Sequence, residues 1–282
     1  MTEPTTPADG TAAAPASADG TAPAAYTDHL TPDGLLVRGT VVVVPGRGES
    51  RAAYGRLGRR LAADAYRVRV VDAPALDAGD LPAALARFAT ALTAAVEGSA
   101  ADGADGAARP VGRVGADTGA AAIAALLAAG TGEASGAVPA DAVVLAGLPG
   151  RVTTAADATW DDELDVRTSC PTHRGVLTDD PHTRRGTLTD PVPDALLAAT
   201  QDAVLTVPAL LLVGDADPLA DRDGLARTAK SLDRARLSVV RGAHHDVLND
   251  LQHRSVAAEV VTFLETLRND LVPQVAVESS AW

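Results

Sequence analysis

The chain has 282 residues, 46% of them hydrophobic, enough for one α/β domain with a sizeable core and a small insertion. Aromatics are only 2%, so that core must be Ala, Val and Leu packing. A formal charge of −13 excludes the basic face that nucleic acid needs and disfavours docking on anionic membranes.

Cys170 is the single cysteine, so no disulfide can form within the chain and a reducing compartment fits. The N-terminus has neither a basic segment nor an apolar stretch of secretory type. Nor is there an apolar run of about 18 residues, so no membrane insertion is expected. The expected location is the cytoplasm.

Residues 1–34 are rich in Ala, Pro, Thr, Gly and Asp, and residues 8–12 (ADGTA) recur at 18–22. Such a segment buries too little apolar surface to offset its ordering entropy and is expected to be a disordered tail. Regular alternation follows. Residues 40–45 (TVVVVP) read as a buried strand ended by Pro45 and Gly46. Residues 50–64 read as a helix with Tyr54, Leu57 and Leu61 on one face, and 67–72 as the next strand. Leu85, Phe88, Leu92 and Val96 form another helical stripe, followed by a Gly/Ala/Asp loop near 97–109.

Residues 111–116 read as a strand, continued by an Ala/Leu helix to about 129, and 142–146 as a further strand. Residues 148–200 break the pattern with charge, Pro and Thr. The alternation then resumes with a strand at 207–213, a helix at 222–232, a strand at 236–241 and a closing helix at 251–267. Strands alternating with helices predict a mostly parallel sheet with helices on both faces. The expected organisation is a tail (1–34), a core in two parts (35–147 and 201–270), a cap or lid insertion (148–200) and a C-terminal tail (271–282). The insertion would lie over the carboxyl ends of the strands, where such sheets bind ligands.

Three segments carry chemistry. Gly115-Ala116-Asp117-Thr118-Gly119 sits between a strand and a helix, the pattern of a nucleophile elbow. Such a turn exposes its central side chain at the strand tip and aims the next N–H, here that of Thr118, into the site. Gly214-Asp215-Ala216-Asp217-Pro218 ends a buried strand, and an acid there can hold a histidine's Nδ1–H. Gly242-Ala243-His244-His245-Asp246 follows the last strand. The order 117, 217, 245 is nucleophile, acid, histidine. After the first strong strand, Pro45-Gly46-Arg47-Gly48-Glu49 can offer a second backbone N–H, from Arg47, to complete an oxyanion hole.

Taken singly, these residues have plainer readings. Asp117 alone would be a helix N-cap and Asp217 a turn-former before Pro218. Asp215 and His244 compete for the acid and histidine roles. His244-His245-Asp246 suggests a metal only if further ligands join it, and none is identifiable in the sequence. Cys170 reads as a small buried hydrophobe, and the insertion arginines 167, 174, 184 and 185 as a solvated face.

Together, residues 45–49, Tyr54, residues 61–66 (LAADAY), 214–218 and 242–249 (GAHHDVLN) resemble the monoacylglycerol lipase and lysophospholipase branch of the α/β-hydrolases, over about 35–147 and 205–267. The resemblance implies an α/β-hydrolase fold with Asp217 as acid, His245 as base, and Arg47 and Thr118 as oxyanion donors. Pro45 replaces that branch's usual histidine, and Ser50 stands where a second often follows. Asp117 stands where the branch has serine.

An aspartate there can attack an electrophilic carbon and form an alkyl-enzyme ester, which His245-activated water then hydrolyses. Epoxide hydrolases and haloalkane dehalogenases of the superfamily work this way. They resemble this chain less in detail, because all three tyrosines lie outside the insertion and Thr118, not tryptophan, follows the aspartate. Trp160 is the candidate ring for the substrate pocket. The expected function is hydrolysis of a small organic substrate through Asp117, as nucleophile or acid–base residue. The alternatives are a degenerate scaffold that binds a ligand or partner, and a cofactor-free lyase, isomerase or cyclase using Asp117 and His245. No cofactor is expected, since phosphate loops and dinucleotide fingerprints are missing; no metal is expected either.

Overall fold

The computed structural model describes residues 26–76, 78–100, 105–129, 140–201 and 204–281. Among these, seven strands form one sheet: β1 (Tyr26–His29), β2 (Gly39–Val44), β3 (Tyr66–Val71), β4 (Val111–Ala116), β5 (Ala142–Ala146), β6 (Ala209–Gly214) and β7 (Ala235–Val240). Their spatial order is β1-β3-β2-β4-β5-β6-β7. All pairings are parallel except β1 with β3. The order turns back at β2, so β3 lies on one side of it and β4 on the other, which opens a crevice at the strand ends.

The central strands are apolar on both faces because both faces are covered. Val42, Val44, Val143, Leu145 and Leu211 point into one core with α2 (Leu81–Glu97) and α3 (Asp117–Ala128). Val41, Val43, Val114, Val144 and Leu210 point into the other with α1 (Gly55–Ala63) and the last helix, His253–Thr266. Six of the twelve residues of α3 are alanine. Small side chains let this helix sit close to the sheet, which compensates for the scarcity of aromatics.

Between β5 and β6 come α4 (Trp160–Arg167), α5 (Pro171–Asp179), a short 3₁₀ turn (Thr187–Thr189) and α6 (Asp194–Gln201). A capping box starts α4: Thr159 accepts from the Asp162 N–H while Asp162 accepts from the Thr159 N–H. Leu196 and Leu197 of α6 join the core beside α3, so this last helix of the 148–200 segment covers the sheet. After β6 come α7 (Arg222–Ser231), β7 and α8 (His253–Thr266).

The tail expected over 1–34 is corrected for residues 26–29, which form β1; residues 1–25 lie outside the described residues. Composition missed this strand because its support is non-local. The Arg69 guanidinium binds both Asp28 carboxylate oxygens at 2.7 Å and lies 3.6 Å from the Tyr26 ring centroid. Residues 271–281 carry no helix or strand. No helix among the described residues is long and apolar enough to cross a membrane.

Candidate active site

Asp117 caps the tip of β4 with φ +46, left-handed backbone that aspartate tolerates better than most residues. The turn leaves no room beside it. A Cβ on Gly115 would lie 2.6 Å from the backbone N of Ala120, and one on Gly119 would strike the carbonyl oxygen of Pro45. Those contacts explain the two glycines that frame the elbow.

The structure brings the predicted residues together. His245 Nδ1 is 2.9 Å from Asp217 Oδ2, and His245 Nε2 is 3.3 Å from Asp117 Oδ1. The second contact is an ion pair without the alignment of a hydrogen bond, so the buried Nε2 has no linear acceptor. The rivals are separated by geometry. Asp215 accepts from the Gly242 N–H at 2.5 Å, and His244 Nδ1 pairs with Asp250 at 3.0 Å.

Arg47 behaves in a way the sequence did not signal. Its backbone N–H, the expected oxyanion donor, donates to Asp117 Oδ2 at 2.8 Å. Its guanidinium also grips the carboxylate, Nε on Oδ2 at 2.8 Å and Nη2 on Oδ1 at 3.0 Å. Nη1 is held by the Asp190 carbonyl at 2.7 Å. Thr118, the other expected donor, lies in the first turn of α3 and lines a cleft of about 370 Å³ with Arg47, Arg87, Arg184 and the segment 190–193. Asp117 and His245 lie behind Arg47 and do not line that cleft.

Trp160, placed in the pocket by the sequence reading, is elsewhere. Its Nε1 donates to Thr178 Oγ1 at 3.1 Å and Arg185 lies 5.0 Å over its ring. The correction has a plain cause: Trp160 opens α4 and its indole N–H is engaged by Thr178 of α5, so the ring does not line the cleft beside Arg47.

Charge balance follows from this geometry. Burial pushes the Asp117 carboxyl up, but Arg47 and His245 outweigh it and hold it well below the ordinary carboxylate range. Burial pushes His245 down, but Asp217 and Asp117 outweigh it and raise the imidazole to about 10. The resting site therefore holds two carboxylates, an imidazolium and a guanidinium, with no net charge.

A second buried network lies beside the first. Arg167 on α4, 1% exposed, donates to Glu163 at 2.8 Å, to Asp246 at 3.4 Å and to the Arg47 carbonyl at 2.8 Å. His173 on α5 meets Asp246 at 3.0 Å and Glu49 at 3.9 Å. The donor atoms of Glu49, His173 and Asp246 all fall within 4.8 Å of one another, so the sequence expectation that no ligand cluster surrounds Asp246 is corrected. The sequence could not supply this, because His173 arrives from the insertion. Arg167 already neutralises Asp246, which makes the cluster an ion-pair network tying the insertion to the loops that carry Arg47 and His245. The backbone strengthens the tie: the His245 N–H donates to the Val166 carbonyl at 3.2 Å and the Asp246 N–H to the Arg167 carbonyl at 2.8 Å.

Two predictions arise from these networks. Arg167→Met should lower unfolding free energy by about 3–5 kcal/mol, the cost of leaving buried carboxylates unpaired; urea unfolding checks it. The second concerns pH. Burial and the neighbouring Asp246 raise Glu49 from 4.5 to about 7. The folded state thus keeps this proton longer than the unfolded chain, and Glu49 subtracts stability as pH rises from 4.5 to 7. His245, raised from 6.5 to about 10, contributes stability fully below pH 6.5 and loses it as pH rises to 10. Glu49→Gln should therefore gain stability relative to the parent between pH 5 and pH 7, and the two should lose it in parallel from about pH 7 to 10. Urea midpoints at pH 5, 7 and 9.5 measure both limbs.

The sheet order, the elbow after β4, and an acid and a histidine after β6 and β7 define the α/β-hydrolase fold. The chain has that fold, a mostly parallel sheet with helices on both faces. The hydrolase family described as serine aminopeptidase, S33, matches residues 113–252. Among solved structures, a soluble variant of the monoglyceride lipase of Saccharomyces cerevisiae is similar, with TM-score 0.65 and 15% identity, covering 86% of this chain and 91% of that one. The monoacylglycerol lipase of Paleococcus ferrophilus is similar with TM-score 0.60 and 17% identity, covering 86% and 98%. A thioesterase domain from the curacin biosynthetic pathway also matches, with TM-score 0.52 and 16% identity, covering 86% and 94%. No curated protein matches the chain in sequence.

Proposed function

We propose that the chain is a hydrolase of small organic molecules in which Asp117 is the nucleophile, His245 the base and Asp217 its orienting acid. The observation that carries this reading is the continuous array from Asp117 Oδ1 through His245 to Asp217, at 3.3 and 2.9 Å. Asp117 Oδ2 lies on the Arg47 N–H, where an oxyanion would be held, and Oδ1 is the oxygen left to attack once the guanidinium withdraws.

In the first step Oδ1 attacks an electrophilic carbon. A carbon–oxygen bond forms, the bond to the leaving group breaks, and the leaving group departs with the electron pair. His245 then gives it the Nε2 proton. Esterification cancels one of the two carboxylates that keep His245 protonated, so the imidazole becomes neutral at the stage where a base is needed.

In the second step neutral His245 takes a proton from water while the hydroxide adds to the Asp117 carboxyl carbon. The oxyanion forms on the Arg47 N–H, and the Thr118 N–H is assigned as the second donor. Collapse breaks the bond to the product oxygen, which leaves as an alcohol with the proton from His245. The carboxyl proton returns to His245. The sum is substrate plus water to alcohol plus protonated leaving group.

Single turnover in ¹⁸O-water, followed by mass analysis of the peptide containing Asp117, should place heavy oxygen in that side chain. Multiple turnovers that leave it unlabelled would overturn the assignment. The guanidinium clamp on both oxygens of Asp117 favours a second reading, a catalytically silent scaffold that binds a ligand in the adjacent cleft. Alkyl halides, epoxides and esters that give neither product nor adduct, with ligand binding retained, would establish it.

A further inference from the structure

The cleft outside Asp117 is lined by three arginines, Arg47, Arg87 and Arg184, and among its described lining residues Asp190 is the one acid. The chain as a whole is acidic, at −13, so this local excess of cations runs against the surface charge. Arg87 and Arg184 are exposed and have no ion-pair partner among the described residues. Arg184 is held in place through its backbone, its N–H donating to the Gly48 carbonyl at 2.8 Å, on the same loop as Arg47. Arg47 stands between the two compartments. It lines the cleft, yet its guanidinium is turned inward onto Asp117, with side-chain exposure of 10%.

We propose that this cleft binds a small organic carboxylate, and that the bound carboxylate draws the Arg47 guanidinium off Asp117. The exchange is chemically even, one carboxylate for another on the same two-pronged donor. Arg87 and Arg184 supply the attraction that tips it toward the ligand. A cavity of about 370 Å³ accommodates a molecule with a carboxylate and a short apolar or aromatic body, against Pro74, Leu76 and Val192, which line its wall. Arg47 is then a positioning residue, and its state links occupancy of the cleft to release of Asp117. The catalytic consequence rests on Asp117 being the reactive carboxylate; the binding does not.

Linkage makes the proposal testable without turnover. Ligand and Asp117 compete for one guanidinium, so weakening the internal partner must strengthen the external one. Phenylacetate and butyrate serve as probes, with phenylacetamide and butyramide as neutral controls, in isothermal titration of the full chain. The carboxylates should bind at least about tenfold more tightly than the amides, and Arg87→Gln and Arg184→Gln should each weaken them by about tenfold. Asp117→Asn should bind the carboxylates about tenfold more tightly than the parent, because Arg47 is no longer shared. Amides binding as well as acids, or Asp117→Asn binding acids no better than the parent, would overturn it. Arg87 and Arg184 lie on the surface, so their variants keep the test available if Asp117→Asn folds poorly. Carboxylate binding that follows these rules, with no label entering Asp117 in ¹⁸O-water, would uphold this proposal and sink the hydrolytic one.

Discussion

Asp117→Asn should unfold about 3 kcal/mol more easily than the parent and lose turnover by about a thousandfold or more. The change keeps shape and removes charge. Asparagine tolerates left-handed backbone as well as aspartate does, so φ +46 at this position adds no penalty of its own. What remains is electrostatic. Arg47, with 10% side-chain exposure, and His245, with none, both face this carboxylate. Without it, the Arg47 guanidinium stays buried with no carboxylate on it, and His245 keeps Asp217 as its one carboxylate partner. Removing one member of a buried pair costs more than the pair itself contributes.

A double-mutant cycle isolates that term: adding Arg47→Met to Asp117→Asn should recover part of the lost stability. Urea unfolding of the four proteins measures it. Strict additivity of the two single changes would show that the clamp contributes nothing to folding.

His245→Gln should stop the reaction halfway. Attack by Asp117 needs no base, because the carboxylate is already ionised and held well below its ordinary range. Hydrolysis of the ester does need one, and general-base catalysis is worth about 10²–10⁴ in rate. The variant should therefore take up close to one equivalent of an alkyl bromide, whose leaving group needs no proton, and release product at least about a hundredfold more slowly than the parent. Intact-protein mass spectra should show the adduct, and peptide mapping should place it on Asp117. An adduct on another residue, or full turnover without His245, would defeat the proposed division of labour. The parent should show no adduct at steady state, because the neutral His245 that follows esterification clears it.

The parts of this fold readable from sequence are those whose physics is local. Residues 40–45 are continuous β-branched apolar chain, which in an α/β protein means a strand covered on both faces, and β2 is buried along its length. The elbow at 115–119 is equally local, since two glycines and a central polar residue between strand and helix have one good geometric explanation. The order of Asp117, Asp217 and His245 carried the topology with it, because each sits at the carboxyl end of a parallel strand and those ends meet along one edge.

Tertiary structure alone decided everything that depended on a partner distant in the chain. Strand β1 exists because Tyr26 and Asp28 find Arg69, some forty residues on, across an antiparallel edge. Trp160 was placed in the pocket for want of another ring, and the turn of α4 points it at Thr178. His173 joins Glu49 and Asp246 only when the insertion folds over the loops. Arg47 is the sharpest case. Its position after β2 marked its backbone N–H as a donor, and a backbone group's role follows from the path of the chain. The long side chain of arginine has no such constraint. Only the packed site, where burial makes an unpaired Asp117 carboxylate costly, turns that guanidinium inward and closes the cleft from the elbow.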